Sequence, residues 1–87
     1  MKKCDKLLAA AEASPSSLSF DDLCSLAECN GFEFKRQKGT SHRMYGHPSL
    51  LPGDGGFMNF QSDKGKAKPY QVRQLLRAIE NLTRQNE

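Results

Sequence analysis

The chain has 87 residues, of which 13 are basic and 10 acidic, and its formal net charge is +3. A chain this short buries only about 60% of its unfolded surface, so we expect one small domain without a deep small-molecule cavity. No run approaches the roughly 20 apolar residues that span a bilayer, and Asp5 and Lys6 interrupt the short apolar stretch near the start, which argues against a secretory signal.

Charge is distributed unevenly along the chain. Residues 1–33 carry three basic and six acidic groups, whereas residues 34–87 carry ten basic and four acidic groups. A basic region of this kind suits a polyanion such as nucleic acid, or an acidic protein partner. It is also typical of a solvated, mildly basic surface, so charge alone does not choose between these alternatives.

Residues 1–17 are predicted to form an N-terminal helix and a linker. The stretch 3–13 is rich in good helix formers, and the Ser-Pro-Ser-Ser run at 14–17 ends it. The cysteines are odd in number, and the spacing of Cys24 and Cys29 fits neither a redox motif nor half of a zinc site. We therefore expect reduced thiols at Cys4, Cys24 and Cys29, in a cytoplasmic protein.

Ser19 is predicted to cap a second helix. Its side chain can accept a hydrogen bond from the first turn, where Asp21 and Asp22 suit the positive end of the helix. Asn30-Gly31 ends the helix, because glycine readily adopts the left-handed conformation of a helix terminator. The core-facing positions are Phe20, Leu23, Leu26 and Ala27.

Three strands are expected after this helix. The stretch 32–36 alternates apolar and polar residues, which directs Phe32 and Phe34 inward. A turn at Lys38-Gly39 leads into a second strand at 40–46, and a loop rich in Gly and Pro at 47–56 leads into a third at 57–60. We expect the stretch 61–68 to be a polar connector.

Pro69 opens the last helix at its preferred first position. Three consecutive strands predict an antiparallel meander, and two helices that bury their apolar faces on one side of it make an α+β two-layer sandwich. Residues 18–84 form this domain and 85–87 a tail. The apolar stripe of the last helix comprises Val72, Leu75, Leu76, Ile79 and Leu82.

Three lysines, Lys64, Lys66 and Lys68, immediately precede the last helix. Positive charge beside the positive end of a helix is locally unfavourable, and an external anion would remove the conflict. Exposed backbone N–H groups together with three ammonium groups suit a phosphate. The alternative is a loop whose lysines only keep the protein soluble.

Both histidines, His42 and His47, lie in the stretch KGTSHRMYGHP at 38–48. A metal pair would need further ligands, and the cationic surroundings repel a divalent ion. An imidazole can instead remove the proton of the RNA 2′-OH while cations stabilise the phosphorane-like transition state, with no metal required. The third alternative is structural: His42 as a half-buried polar residue and His47 as a turn residue.

Two stretches, GFEFKRQKGTSHRMYGHP at 31–48 and KGKAKPYQVRQLLRAIE at 64–80, resemble the HicA (YcfA-like) toxins of bacterial toxin–antitoxin modules. The resemblance covers about residues 20–80 and implies a double-stranded-RNA-binding-domain-like (dsRBD-like) fold. It further implies an mRNA interferase that uses a single histidine, His42, needs no cofactor and is silenced by a HicB-type antitoxin. The chain departs from shorter members in the helix at 1–13, in Thr40 and in the longer loop at 47–56.

For RNA cleavage of this kind, His42 is the predicted catalytic residue, and His47 is a minor candidate for contact with the substrate. A non-catalytic RNA-binding module of the same fold, and a protein-interaction domain whose basic face binds an acidic partner, remain as alternatives. The predicted RNA and phosphate contacts are Lys38, Ser41, Arg43, Lys64, Lys66, Lys68 and Arg73.

Overall fold

A computed structural model describes residues 3–39 and 42–85, within which the chain forms three α-helices and a four-stranded antiparallel sheet. The strand order β1-β2-β3-β4 follows the chain, so the sheet is a meander. Short 3₁₀ turns occupy Pro15–Ser17 and Pro52–Asp54. The elements are α1 (Lys3–Ala13), α2 (Phe20–Cys29), β1 (Glu33–Lys38), β2 (His42–Gly46), β3 (Phe57–Asp63), β4 (Lys66–Ala67) and α3 (Pro69–Gln85).

Helix α2 begins and ends as its sequence predicts. The Ser19 hydroxyl accepts a hydrogen bond from the N–H of Asp22 at 3.1 Å, which satisfies one of the open donors of the first turn. At the other end Gly31 has a φ of +88°, a conformation that favours glycine. Both ends are set by local backbone chemistry, so they are predictable from a few neighbouring residues.

The core lies between the helices and one face of the sheet. Tyr45, Met58 and Phe60 supply the sheet side, and the predicted stripes of α2 and α3 supply the helix side. Full burial of a large apolar side chain stabilises the fold by about 1.5–3 kcal/mol. The predicted α+β arrangement is therefore confirmed, and it is compatible with a two-layer sandwich.

The sheet has one strand more than we expected. The predicted connector continues β3 to Asp63, turns at Lys64-Gly65 with φ values of 54° and 84°, and returns as β4. Ser62 pairs with Ala67, which is buried. The prediction of a connector was wrong because this hairpin places few apolar residues on its inner face, so its alternation is not visible in the sequence.

Phe34 is also not where we expected it. Its side chain is 51% exposed, although it pairs with the buried Tyr45 and contacts its ring at 5.7 Å between centroids. Strand β1 is an edge strand with a bulge between Phe34 and Arg36. The alternation predicted the correct face of the strand, but this end of the face is only partly covered by the helices.

Helix α1 packs on the core through Leu7 and Ala11. It is also joined covalently to the end of α2, because Cys4 and Cys29 form a disulfide with their Cα atoms 5.8 Å apart. The expectation of reduced thiols is wrong for this pair and fits only Cys24, which is free and buried. None of the helices in the described part of the chain is long and apolar enough to span a membrane.

Candidate active site on the open face of the sheet

Successive side chains of β2 alternate between the two faces of the sheet. Tyr45 is directed to the core, and Arg43 shares its parity. His42 and Met44 therefore lie on the opposite, open face, where both are partly exposed. The imidazole of His42 is thus positioned by a regular strand on the face that the helices leave uncovered.

His42 lies directly opposite Gln61 in the pairing of β2 with β3. Side chains at such positions share a face, with Cβ atoms about 5 Å apart. The Gln61 carboxamide accepts a hydrogen bond from the Lys68 ammonium at 2.9 Å. A cation is therefore held next to the cross-strand neighbour of His42, although Lys68 is 26 positions further along the chain.

Gln71 links the start of α3 to the edge of β3. It is only 4% exposed, and its carboxamide oxygen accepts a hydrogen bond from the backbone N–H of Gln61 at 2.9 Å. Its amide nitrogen donates to the carbonyl of Asn59 at 3.0 Å. The sequence reasoning missed this residue, and the available sign was a polar side chain at the start of the apolar face of α3, four residues before Leu75.

The first turn of α3 offers fewer open donors than we expected for phosphate binding. Pro69 has no N–H, and the N–H groups of Gln71 and Val72 donate to the Lys68 carbonyl at 2.9 and 3.1 Å. The lysine side chains therefore supply most of the attraction for an anion at this position. Lys64 and Lys66 are exposed on the β3–β4 hairpin, where Lys66 lies opposite Asp63 in the strand register.

The other residues predicted to contact RNA do not gather around His42 in one group. The Lys38 backbone pairs with His42, whereas the Lys38 side chain, like Ser41, lies outside what the structure describes. Arg73 is exposed on α3. The Arg43 guanidinium lies over the Phe20 ring, 5.3 Å from its centroid, and so on the core side of the sheet, opposite the face that bears His42.

A polar cluster surrounds Arg43 between α2 and the sheet. The Tyr45 hydroxyl donates a hydrogen bond to the Glu28 carboxylate at 2.8 Å. Burial raises the pKa of the Tyr45 hydroxyl, and the hydrogen bond to Glu28 raises it further. Burial also raises the pKa of the Cys24 thiol, so Cys24 is held as a neutral thiol in this cluster.

His47 forms hydrogen bonds within the protein through both nitrogens of its ring. Its Nδ1 accepts a hydrogen bond from the N–H of Ser49 at 3.0 Å, and its Nε2 lies 3.0 Å from the carbonyl of Asn30. Because a carbonyl can only accept, Nε2 carries the proton. The ring also packs edge-on against Phe32, with centroids 4.9 Å apart. Both ring nitrogens are thus used within the protein.

Across residues 3–39 and 42–85, no group of three or more His, Cys, Asp or Glu side chains is arranged to hold a metal ion. Comparison of the chain with family models, with curated proteins and with solved structures finds no match.

Proposed function

We propose that this protein is an endoribonuclease toxin of the HicA type that cleaves mRNA through His42 without a metal ion. The observation that supports this most is the position of His42 on the open sheet face, opposite Gln61, whose side chain binds the Lys68 ammonium. An imidazole can act as the general base for cleavage of RNA by its own 2′-OH, and a nearby cation can stabilise the charge that develops on the phosphate.

In the proposed reaction, neutral His42 removes the proton of the 2′-OH, and the 2′ oxygen attacks the adjacent phosphorus. The bond from phosphorus to the 5′ oxygen breaks, which leaves a 2′,3′-cyclic phosphate. The imidazolium returns its proton to the departing 5′ oxygen. Lys68 stabilises the negative charge that develops on the non-bridging oxygens, and Lys66 and Lys64 bind neighbouring phosphates.

The proposal includes a dsRBD-like fold for the part of the chain from α2 onward. The order of α2, the meander and α3 supports it. Helix α1 is then an addition to that fold, held by Leu7, Ala11 and the Cys4–Cys29 disulfide.

Incubation of the purified protein with labelled RNA in EDTA tests the enzyme directly. We expect wild-type protein to cleave, and His42→Ala protein to stay folded and leave the RNA intact. Cleavage by a folded His42→Ala protein would exclude His42 as the catalytic base.

In cells, the wild-type protein should arrest growth unless a HicB-type antitoxin is co-expressed. The His42→Ala protein should not arrest growth but should still bind the antitoxin, because the change leaves the rest of the surface intact. Co-purification of the two proteins measures this binding.

A non-catalytic RNA-binding module is the second candidate. The lysines of the β3–β4 hairpin and of the α3 start favour it, since they fit phosphate contacts whether or not the RNA is cleaved. This candidate predicts salt-sensitive binding of duplex RNA with no cleavage product in EDTA.

A further inference from the structure

We propose that Tyr70 is a stacking platform for one unpaired RNA base next to the cleaved linkage, and that Arg73 and Arg77 hold the phosphate beyond it. This inference rests on the proposed endoribonuclease function and deepens it, because it names single-stranded RNA as the form of substrate that the site binds.

Tyr70 is an exposed aromatic side chain in a defined position. It is the second residue of α3, and 52% of its surface is exposed. Its hydroxyl lies 3.4 Å from the amide nitrogen of Gln71, which is itself hydrogen-bonded to the edge of β3. The ring therefore lies next to the link between α3 and the edge of β3, with much of its surface open to solvent.

The cleft beside Tyr70 has the chemistry of a nucleotide site. Tyr70, Arg73, Gln74 and Arg77 line a cleft of about 220 Å³. Both arginines share the Tyr70 face of α3, at spacings of three and seven residues. Among the described residues neither arginine forms an ion pair, whereas Arg84 on the same helix is paired with Glu80. Glu12 and Glu80 line the adjoining cleft together with both arginines but, within the part of the chain that the structure describes, form no direct ion pair with them. Two such guanidinium groups beside an aromatic ring suit a base and its phosphate.

The position of the cleft connects it to the proposed reaction. Tyr70 follows Lys68 by two residues, and Lys68 contacts Gln61, the cross-strand neighbour of His42. In the proposal, an RNA strand bound by Lys68 continues past the start of α3, where its next base meets Tyr70, two residues further along the chain. The faces of a base are covered by its neighbours in a duplex, so stacking on Tyr70 requires an unpaired nucleotide.

Binding measured without cleavage tests the inference. Full-length His42→Ala protein would be titrated into fluorescein-labelled single-stranded RNA, and separately into a labelled duplex, in EDTA. Adding Tyr70→Phe should change the single-strand affinity less than two-fold, because the ring is kept. Adding Tyr70→Leu should weaken it about ten-fold and leave duplex affinity unchanged. Arg77→Gln should make the plot of log binding constant against log salt concentration less steep for single-stranded RNA, by about one unit of slope.

Equal single-strand affinities for the folded Tyr70→Leu and Tyr70→Phe proteins would overturn the inference, as would equal losses for single-stranded and duplex RNA. Thermal unfolding of each variant verifies the fold. The cleavage assay tests the enzymatic function separately. If Tyr70→Leu loses single-strand binding but wild-type protein does not cleave RNA, the endoribonuclease function is excluded and the stacking role of Tyr70 is supported. If wild-type protein cleaves RNA but single-strand binding does not depend on Tyr70, only the stacking role of Tyr70 is excluded.

Discussion

The side chain of Gln71 accepts a hydrogen bond from the backbone N–H of Gln61 at 2.9 Å. The same side chain donates a hydrogen bond to the Asn59 carbonyl. Strand β4 has only two residues, and where it ends the Gln71 carboxamide bonds to the edge of β3 as the backbone of a neighbouring strand would. The start of α3, with Lys68 and Tyr70 on either side of Pro69, is thereby fixed relative to the strand that faces His42.

Gln71→Leu should lower the free energy of unfolding by about 1–3 kcal/mol, because it leaves a partly buried N–H and a partly buried carbonyl without their protein partners. Urea denaturation measures the change. Gln74→Leu, an exposed position on the same helix, is the matched control and should stay within about 0.5 kcal/mol of wild type. Similar stabilities for the two variants would show that the Gln71 hydrogen bonds contribute little.

The two histidines should separate stability from activity. His47→Ala should lower the free energy of unfolding by about 2 kcal/mol, since it removes the hydrogen bonds to Ser49 and Asn30. His47→Asn, which keeps an acceptor near the position of Nδ1, should lose less. Below their unfolding temperatures both proteins should still cleave RNA, and a well-folded but inactive His47→Asn protein would show that His47 belongs to the active site.

Much of the fold follows from local rules. The Ser19 cap, the Gly31 terminator and the Pro69 start depend on residues next to one another, so the sequence was sufficient. The β3–β4 hairpin was missed because its inner face includes Ser62 and the small Ala67 rather than large apolar residues. The Cys4–Cys29 pair was missed because it depends on how α1 packs against α2.

The candidate site was only partly predictable for a related reason. His42 and Arg43 are adjacent on a strand, so they point to opposite faces, and grouping them by sequence distance placed Arg43 near a site that it faces away from. Gln61 lay in the stretch that we expected to be a connector, so its pairing with His42 was not foreseen. The hydrogen bond between Gln61 and Lys68 determines which lysine lies next to the cross-strand neighbour of His42.

Reduction of the disulfide should lower stability by about 3 kcal/mol, because Cys4 and Cys29 are 25 positions apart and the open chain gains entropy when unfolded. We expect a reductant to lower the melting temperature by roughly 10 °C or more. The Cys4→Ser/Cys29→Ser protein should melt at one temperature with or without reductant. Three reactive thiols instead of one in unreduced, denatured wild-type protein would contradict the bond.

Stability should fall at high pH through Tyr45. Burial and the Glu28 hydrogen bond raise the pKa of Tyr45 in the folded protein, whereas the unfolded residue ionises near its ordinary value of about 10. Its stabilising contribution is thus complete below pH about 10 and is lost as the pH rises further, by up to about 1.4 kcal/mol per pH unit.

Tyr45→Phe should remove this part of the pH dependence and cost about 1–2 kcal/mol at neutral pH, because Glu28 loses its donor. Urea denaturation of both proteins between pH 8 and about 11 measures the difference. Parallel stability curves across this range would contradict the predicted role of the buried hydroxyl.

Cleavage of a substrate with one altered nucleotide tests the proposed chemistry most directly. Wild-type protein and His42→Ala protein would be incubated in EDTA with an RNA cut at one position, and with the same RNA carrying a 2′-deoxy nucleotide on the 5′ side of that bond. We predict that wild-type protein cuts the all-RNA substrate to a 2′,3′-cyclic phosphate end, and that either the deoxy substitution or His42→Ala abolishes cutting. Cleavage of the 2′-deoxy substrate at the same bond, or undiminished cleavage by His42→Ala protein, would contradict a reaction in which His42 activates the 2′-OH.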